Sequence, residues 1–167
     1  NVQADLYWVA PNGEGTWGGN NWSSSISGTG GAWQGETTAL FHQSLNNIDL
    51  NGESPILYTL RPGGSGYSAS NRRVVNIYNT SETDSTFTYK ITGHGNTDFK
   101  NLIVTFGGAR STGKVNVYNS KNGGSTTGTH SLKLAWDSHV VFAANSEYTE
   151  AGTTHNMIGN NNAASNS

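Results

Sequence analysis

From Ile56 onward the apolar residues of this chain fall on alternate positions, in short runs closed by turn-forming residues. Ile56, Tyr58 and Leu60 begin the series, and Arg61-Pro62-Gly63-Gly64 breaks it. Val75 and Ile77 follow, then Phe87, Tyr89 and Ile91, closed by Gly93-His94-Gly95-Asn96. Leu102, Val104 and Phe106 end at Gly107-Gly108, and Val115 and Val117 precede Asn122-Gly123-Gly124. Leu132, Leu134 and Trp136 run into Asp137-Ser138, with Val140 and Phe142 beyond. Alternation of this kind, bounded by Gly/Asn turns, is the mark of half-buried strands. No window of useful length places apolar residues at helical spacing, so the chain is expected to be all-β. Strand starts near positions 74, 87, 102, 115 and 132 recur at 13 to 17 residues. Sandwich strands recur at about 8–12 residues and solenoid coils at about 20 or more. Spacing alone leaves an antiparallel β-sandwich and a β-solenoid equally open.

The segment Asp5 to Phe41 is of a different kind. It holds Trp8, Trp17, Trp22 and Trp33, four of the chain's five tryptophans, set among Gly, Asn and Ser. Glycine-rich backbone loses much entropy on folding, and this stretch has few aliphatic residues to offset the loss. Buried aromatic surface, about 150–250 Å² per ring, is the available compensation. The segment therefore reads as an aromatic cap sealing the open end of the β body. Within it Asp5–Val9 and Thr37–Phe41 are strand candidates, Asn12-Gly13 is a turn, and Ser23–Gly31 is a surface loop. Asn47–Leu50 and the Asn51-Gly52 turn follow. The organisation expected is one domain over 1–167: a cap at 5–41, a strand body at 42–158 and a frayed or truncated tail at 159–167. That tail, G-N-N-N-A-A-S-N-S, has no core-forming residue.

Composition limits the function classes. Hydrophobic residues are 33% and charged residues 12%, with nine basic against eleven acidic side chains and a net charge of -2. Disorder pairs low hydrophobicity with high net charge, whereas this chain is nearly neutral and 10% aromatic. There is no basic footprint for nucleic acid or an anionic membrane. With no cysteine the chain can form neither a disulfide framework nor a Cys-ligated zinc site. No apolar run is long enough to cross a bilayer as a helix. Position 1 is Asn, and Val2-Gln3-Ala4 reads as the end of a signal-cleavage site. Secretion is the expectation, carried mainly by the composition.

The Trp segment resembles the opening of autotransporter-type passenger domains and related secreted β-helical surface proteins of bacteria. The matching residues are Tyr7-Trp8, Gly13 to Gly15, Trp17, Asn21-Trp22-Ser23 and Ala39-Leu40-Phe41. The short runs Ile48 to Gly52 (I-D-L-N-G) and Tyr89 to Gly95 (Y-K-I-T-G-H-G) also look like that family. The sequence departs from the family in having no membrane-barrel segment and few repeats. The resemblance implies a right-handed parallel β-helix with the Trp segment over its N-terminal end. It also implies a non-enzymatic, secreted or cell-surface structural or adhesive module, with a host or matrix glycan or neighbouring copies of itself as partner. Two readings stand beside it: a β-sandwich lectin-like carbohydrate-binding domain, and a glycan-active hydrolase or lyase of β-helix type.

Loop aromatics are the natural platforms for sugar rings. Trp17, Trp33 and Tyr67 are the candidate ligand-binding residues, against the alternative that the indoles fill the cap core. Trp8 and Trp22 are expected in that core. The histidines His42, His94, His130, His139 and His155 show no metal-ligand spacing and are expected in solvated loops. No Gly-x-Ser-x-Gly elbow is present, and Glu82, Asp84, Asp98, Asp137, Glu147 and Glu150 are scattered. No catalytic, metal or cofactor residue is assigned. Asn21-Trp22-Ser23 and Asn79-Thr80-Ser81 match the N-glycosylation triplet.

Overall fold

In the computed structural model, residues 4–90, 99–120, 134, 137–150, 153–156 and 162–166 are described. The alternating runs become strands, and the strands stack parallel and in register. The chain opens with β1 (Leu6–Trp8) and β2 (Glu14–Thr16), then folds back as β3 (Trp22–Ser23). One turn is β4 (Ala39–Phe41), β5 (Leu45–Asp49) and β6 (Ile56–Leu57). The next is β7 (Leu60–Pro62), β8 (Arg73–Tyr78) and β9 (Ser85–Tyr89). Two further turns contribute β10 (Leu102–Phe106) with β11 (Val115–Asn119), and β12 (Ser138–Phe142) with β13 (Ser146–Glu150). The strands β14 (Thr153–Asn156) and β15 (Asn162–Asn166) then pair antiparallel with β13 and β12. Three sheets result, ordered β3-β1-β4-β7, β15-β12-β10-β8-β5-β2 and β14-β13-β11-β9-β6. The protein is thus a parallel β-solenoid of about four turns. The antiparallel-sandwich alternative is set aside by the parallel β5-β8-β10-β12 and β6-β9-β11-β13 ladders. Among the described residues the only helical element is a short 3-10 turn at Pro11–Gly13.

Register explains the odd spacing in the sequence. Val75 pairs with Val104, 29 positions on, and Phe87 with Val117, 30 positions on. A turn of the coil is therefore about twice the 13-to-17-residue interval, which measures the step from one sheet to the next within a turn. In-register parallel pairing places like side chains above one another. Ile48, Ile77, Phe106 and Phe142 form one inward column, and Val75, Val104 and Val140 another. Phe87, Val117 and Tyr148 form a third, and all these residues are buried. Of the expected strand and turn residues, Ile91, Leu132, Trp136, Gly93–Asn96 and Asn122–Gly124 lie outside the described residues.

The corners are held by polar groups. Asn101 and Asp137 occupy equivalent positions before β10 and β12, at φ 56° and 61°. Asn and Asp tolerate this left-handed conformation better than other residues with a side chain. Asn79, fully buried, binds three successive turns. Its amide nitrogen donates to the carbonyls of Thr83 (2.8 Å) and Lys114 (3.1 Å), and its amide oxygen accepts from the backbone N–H of Gly52 (3.0 Å) and Ser81 (3.1 Å). Removing that side chain strands four backbone groups, each costing about 1–3 kcal/mol where it stays dry. Asn79→Ala is expected to lower unfolding free energy in urea by about 3 kcal/mol or more. A loss below about 1 kcal/mol would take Asn79 out of this role.

Candidate functional site

The aromatic segment builds the capped end. Trp8 leaves β1, Trp22 leaves the fold-back strand β3, and Trp17 follows β2 directly. A Trp22–Gly31 bridge on the outer side of β3 brings Trp33 onto the cluster. Ring centroids lie 5.0 Å apart for Trp8–Trp22, 4.7 Å for Trp17–Trp22 and 4.7 Å for Trp22–Trp33. Trp17 meets Trp33 at 5.0 Å and Phe87 at 5.5 Å, both edge to face. From Phe87 the contacts continue through Phe106 (5.3 Å) and Phe142 (5.7 Å) to Tyr148 (5.1 Å). The cap and the core columns are one aromatic body.

Within the cap the four indoles differ. Trp8 Nε1 donates to the Gly13 carbonyl at 2.9 Å, and Trp22 Nε1 to the Trp17 carbonyl at 2.9 Å. The indole N–H groups of Trp17 and Trp33 are covered and have no acceptor. Trp8 and Trp22 are bonded core pieces, as expected. Trp17 is only 2% exposed, because Trp22, Trp33 and Phe87 close around it. It offers an edge to solvent and no open face. Trp33 is half-buried.

Trp33 and that edge of Trp17 line a hollow of about 260 Å³ with Gly18, Ala32, Glu53, Ser54 and Pro55. A second hollow of about 180 Å³ adjoins it, lined by Thr16, Gly18, Gly19, Leu50, Asn51 and Glu53. Gly18 and Glu53 form the rim the two share. Tyr67 belongs to neither. It sits in the loop between β7 and β8, where its hydroxyl donates to the Gly63 carbonyl (3.2 Å) and the Arg73 guanidinium lies 4.9 Å from its ring centre. Sequence reasoning did not single out Gly18, Glu53, Ser54 or Pro55. The available signal was a carboxylate directly after the Asn51-Gly52 turn.

Three carboxylates away from the hollows are committed to ion pairs, and of these only Glu147 is among the scattered acidic residues noted in the sequence. Glu14 pairs with Arg110 (2.6 Å), Glu36 with Lys90 (2.6 Å) and Glu147 with Lys114 (2.7 Å). The Glu147 hydrogen bond is the main reason the Lys114 pKa lies above its ordinary value. Among the described residues no three His, Cys, Asp or Glu side chains cluster as a metal site would require. His42 is partly buried and not the freely solvated loop residue expected. Its Nε2 is covered, and burial, reinforced by Arg73, pushes its pKa below the ordinary value. His139 lies half-buried on β12, and His155 falls on β14. His94, His130 and Asp98 lie outside the described residues. Both glycosylation triplets are used structurally: Asn79 as above, and Asn21 through a 3.0 Å bond from its amide to the Thr16 carbonyl.

The unequal bonding of the indoles sets an order of stability. Trp22→Phe strands the Trp17 carbonyl and leaves a void, at about 2–4 kcal/mol. Trp33→Phe removes a donor that has no acceptor, and is expected to cost under about 1 kcal/mol. Urea unfolding of the two variants checks this, and equal or reversed costs would contradict it. Comparison with family models, with curated proteins and with solved structures found no match to this chain.

Proposed function

We propose that this chain is a non-enzymatic structural and adhesive module of a secreted or cell-surface protein, similar in kind to autotransporter-type passenger domains, and that it contacts glycans. The observation that carries the reading is the solenoid itself, filled by one aromatic body from the Trp cap to Tyr148. Such a body resists bending and presents its sheets as fixed outer faces. Those faces carry rows of uncharged polar residues, set beside outward apolar side chains such as Leu45, Ile56 and Tyr118. Asn47, Asn76 and Thr105 adjoin on one sheet, and Thr86, Thr88 and Asn116 on another. Asn76 donates to Asn47 at 2.9 Å, and both remain partly open to solvent. Amides and hydroxyls in fixed rows suit hydroxyl-rich ligands better than charged ones.

The rival within this fold is a glycan-active hydrolase or lyase. The pairing of Glu14, Glu36 and Glu147 with Arg110, Lys90 and Lys114 argues for structural carboxylates. Paired carboxylates for glycoside hydrolysis need to face one another across a bound sugar at about 5–10 Å. The test is retention of the purified protein on immobilised polysaccharides, with reducing ends and unsaturated products assayed in parallel. Saturable retention without bond cleavage is expected. Release of oligosaccharides, abolished by one Asp or Glu substitution, would overturn the non-enzymatic reading.

A further inference from the structure

We propose that the two adjoining hollows at the capped end form one shallow subsite for two linked neutral sugar rings, with Trp33 beneath the first and Glu53 between them. This deepens the adhesive reading and rests on it. Four observations carry it.

Size comes first. The hollows measure about 260 and 180 Å³. At about 30 Å³ per water they hold roughly nine and six waters. Each hollow is on the scale of one sugar ring and lies below the ~300 Å³ at which sites for larger ligands begin. The second observation is rigidity. Trp33 is partly open, yet it is held against Trp17 at 5.0 Å and Trp22 at 4.7 Å, so its indole loses little freedom when covered.

Charge is the third. The Glu53 carboxylate has no hydrogen-bond or ion-pair partner among the described residues, although it stands on the rim common to both hollows. A free carboxylate accepts strongly from sugar hydroxyls and repels uronic, sialic or sulfated rings. Ser54 adds a hydroxyl whose oxygen accepts from the Thr86 N–H at 2.9 Å, leaving its proton to give. The fourth is Gly18. A methyl group there would come within 3.2–3.3 Å of Cγ, Cδ and Oε1 of Glu53. Glycine lets the Glu53 side chain lie directly against the backbone at that point.

The experiment follows tryptophan fluorescence while the protein is titrated with β-linked disaccharides of glucose, galactose and N-acetylglucosamine. A disaccharide containing glucuronic acid serves as the charged counterpart. Saturable binding of at least one neutral disaccharide is expected, with the acidic one at least tenfold weaker. Trp33→Ala is expected to abolish the signal. Because that change also touches the cap, Glu53→Gln and Gly18→Ala decide the matter, both lying on exposed residues. Each should weaken binding about threefold or more with thermal unfolding unchanged. If both keep full affinity while the protein still binds neutral sugars, the subsite is overturned and the adhesive reading stands. Equal affinity for the acidic disaccharide overturns the role given to Glu53. If no disaccharide binds although polysaccharide retains the protein, the subsite falls alone. Absence of both kinds of binding removes the glycan reading with it.

Discussion

A parallel β-coil completes its backbone hydrogen bonding only through the turns above and below it, so its first turn has an open side. That is the constraint on which this structure depends. Unpaired strand edges are costly when dry and promote association when wet. Here β3 turns back to cover β1 in antiparallel sense, and the chain leaving β2 delivers Trp17 against Phe87 of β9. The far end uses the same device, with β14 and β15 reversed over β13 and β12. Antiparallel strands at both ends of a parallel stack are edge covers, and they do not make the fold a sandwich.

What the cap gains in closure it carries inward. Trp17 touches Phe87, and from there the in-register columns pass aromatic contact from turn to turn. A pair of such rings contributes about 0.5–1.5 kcal/mol beyond its buried area. A run of them gives a short coil, made of strands of two to six residues, a continuous core. The polar corners complete it, since Asn79 and Ser111 satisfy carbonyl and N–H groups that the sheets leave over. The proposed sugar subsite lies on the shoulder of the cap. Trp33 is the outermost ring of the cluster and the one left half-open.

Much of this was legible in the residues. Alternation at Phe87, Tyr89, Leu102, Val104 and Phe106 marks strands, and all five are buried on the inward face. Four tryptophans in a glycine-rich segment mark a compensated, buried cluster, which is what Trp8, Trp17 and Trp22 form. The repeat was harder to read, because strands on two sheets carry the same alternation and halve the apparent period. Pairing of Val75 with Val104 is a long-range fact that local spacing does not contain. The proposed subsite was half legible. Aromatic type pointed to Trp17 and Trp33, but burial separates them, and only tertiary contact decides which ring is covered. Glu53 joins Trp33 across some twenty residues of sequence through the stacking of turns, so no local pattern announces it.

The central claim, that the indole cluster closes the first turns, is tested most directly by residue-resolved amide hydrogen exchange. With the cap intact, amides of β4 and β5 should exchange as slowly as those of β8, although they lie nearer the end. In Trp17→Ala, protection should be lost first across β4, β5 and β6 while β10 and β12 retain theirs. Exchange of β4 and β5 at the rate of a free edge in the unaltered protein, or an unchanged pattern in Trp17→Ala, would contradict the account.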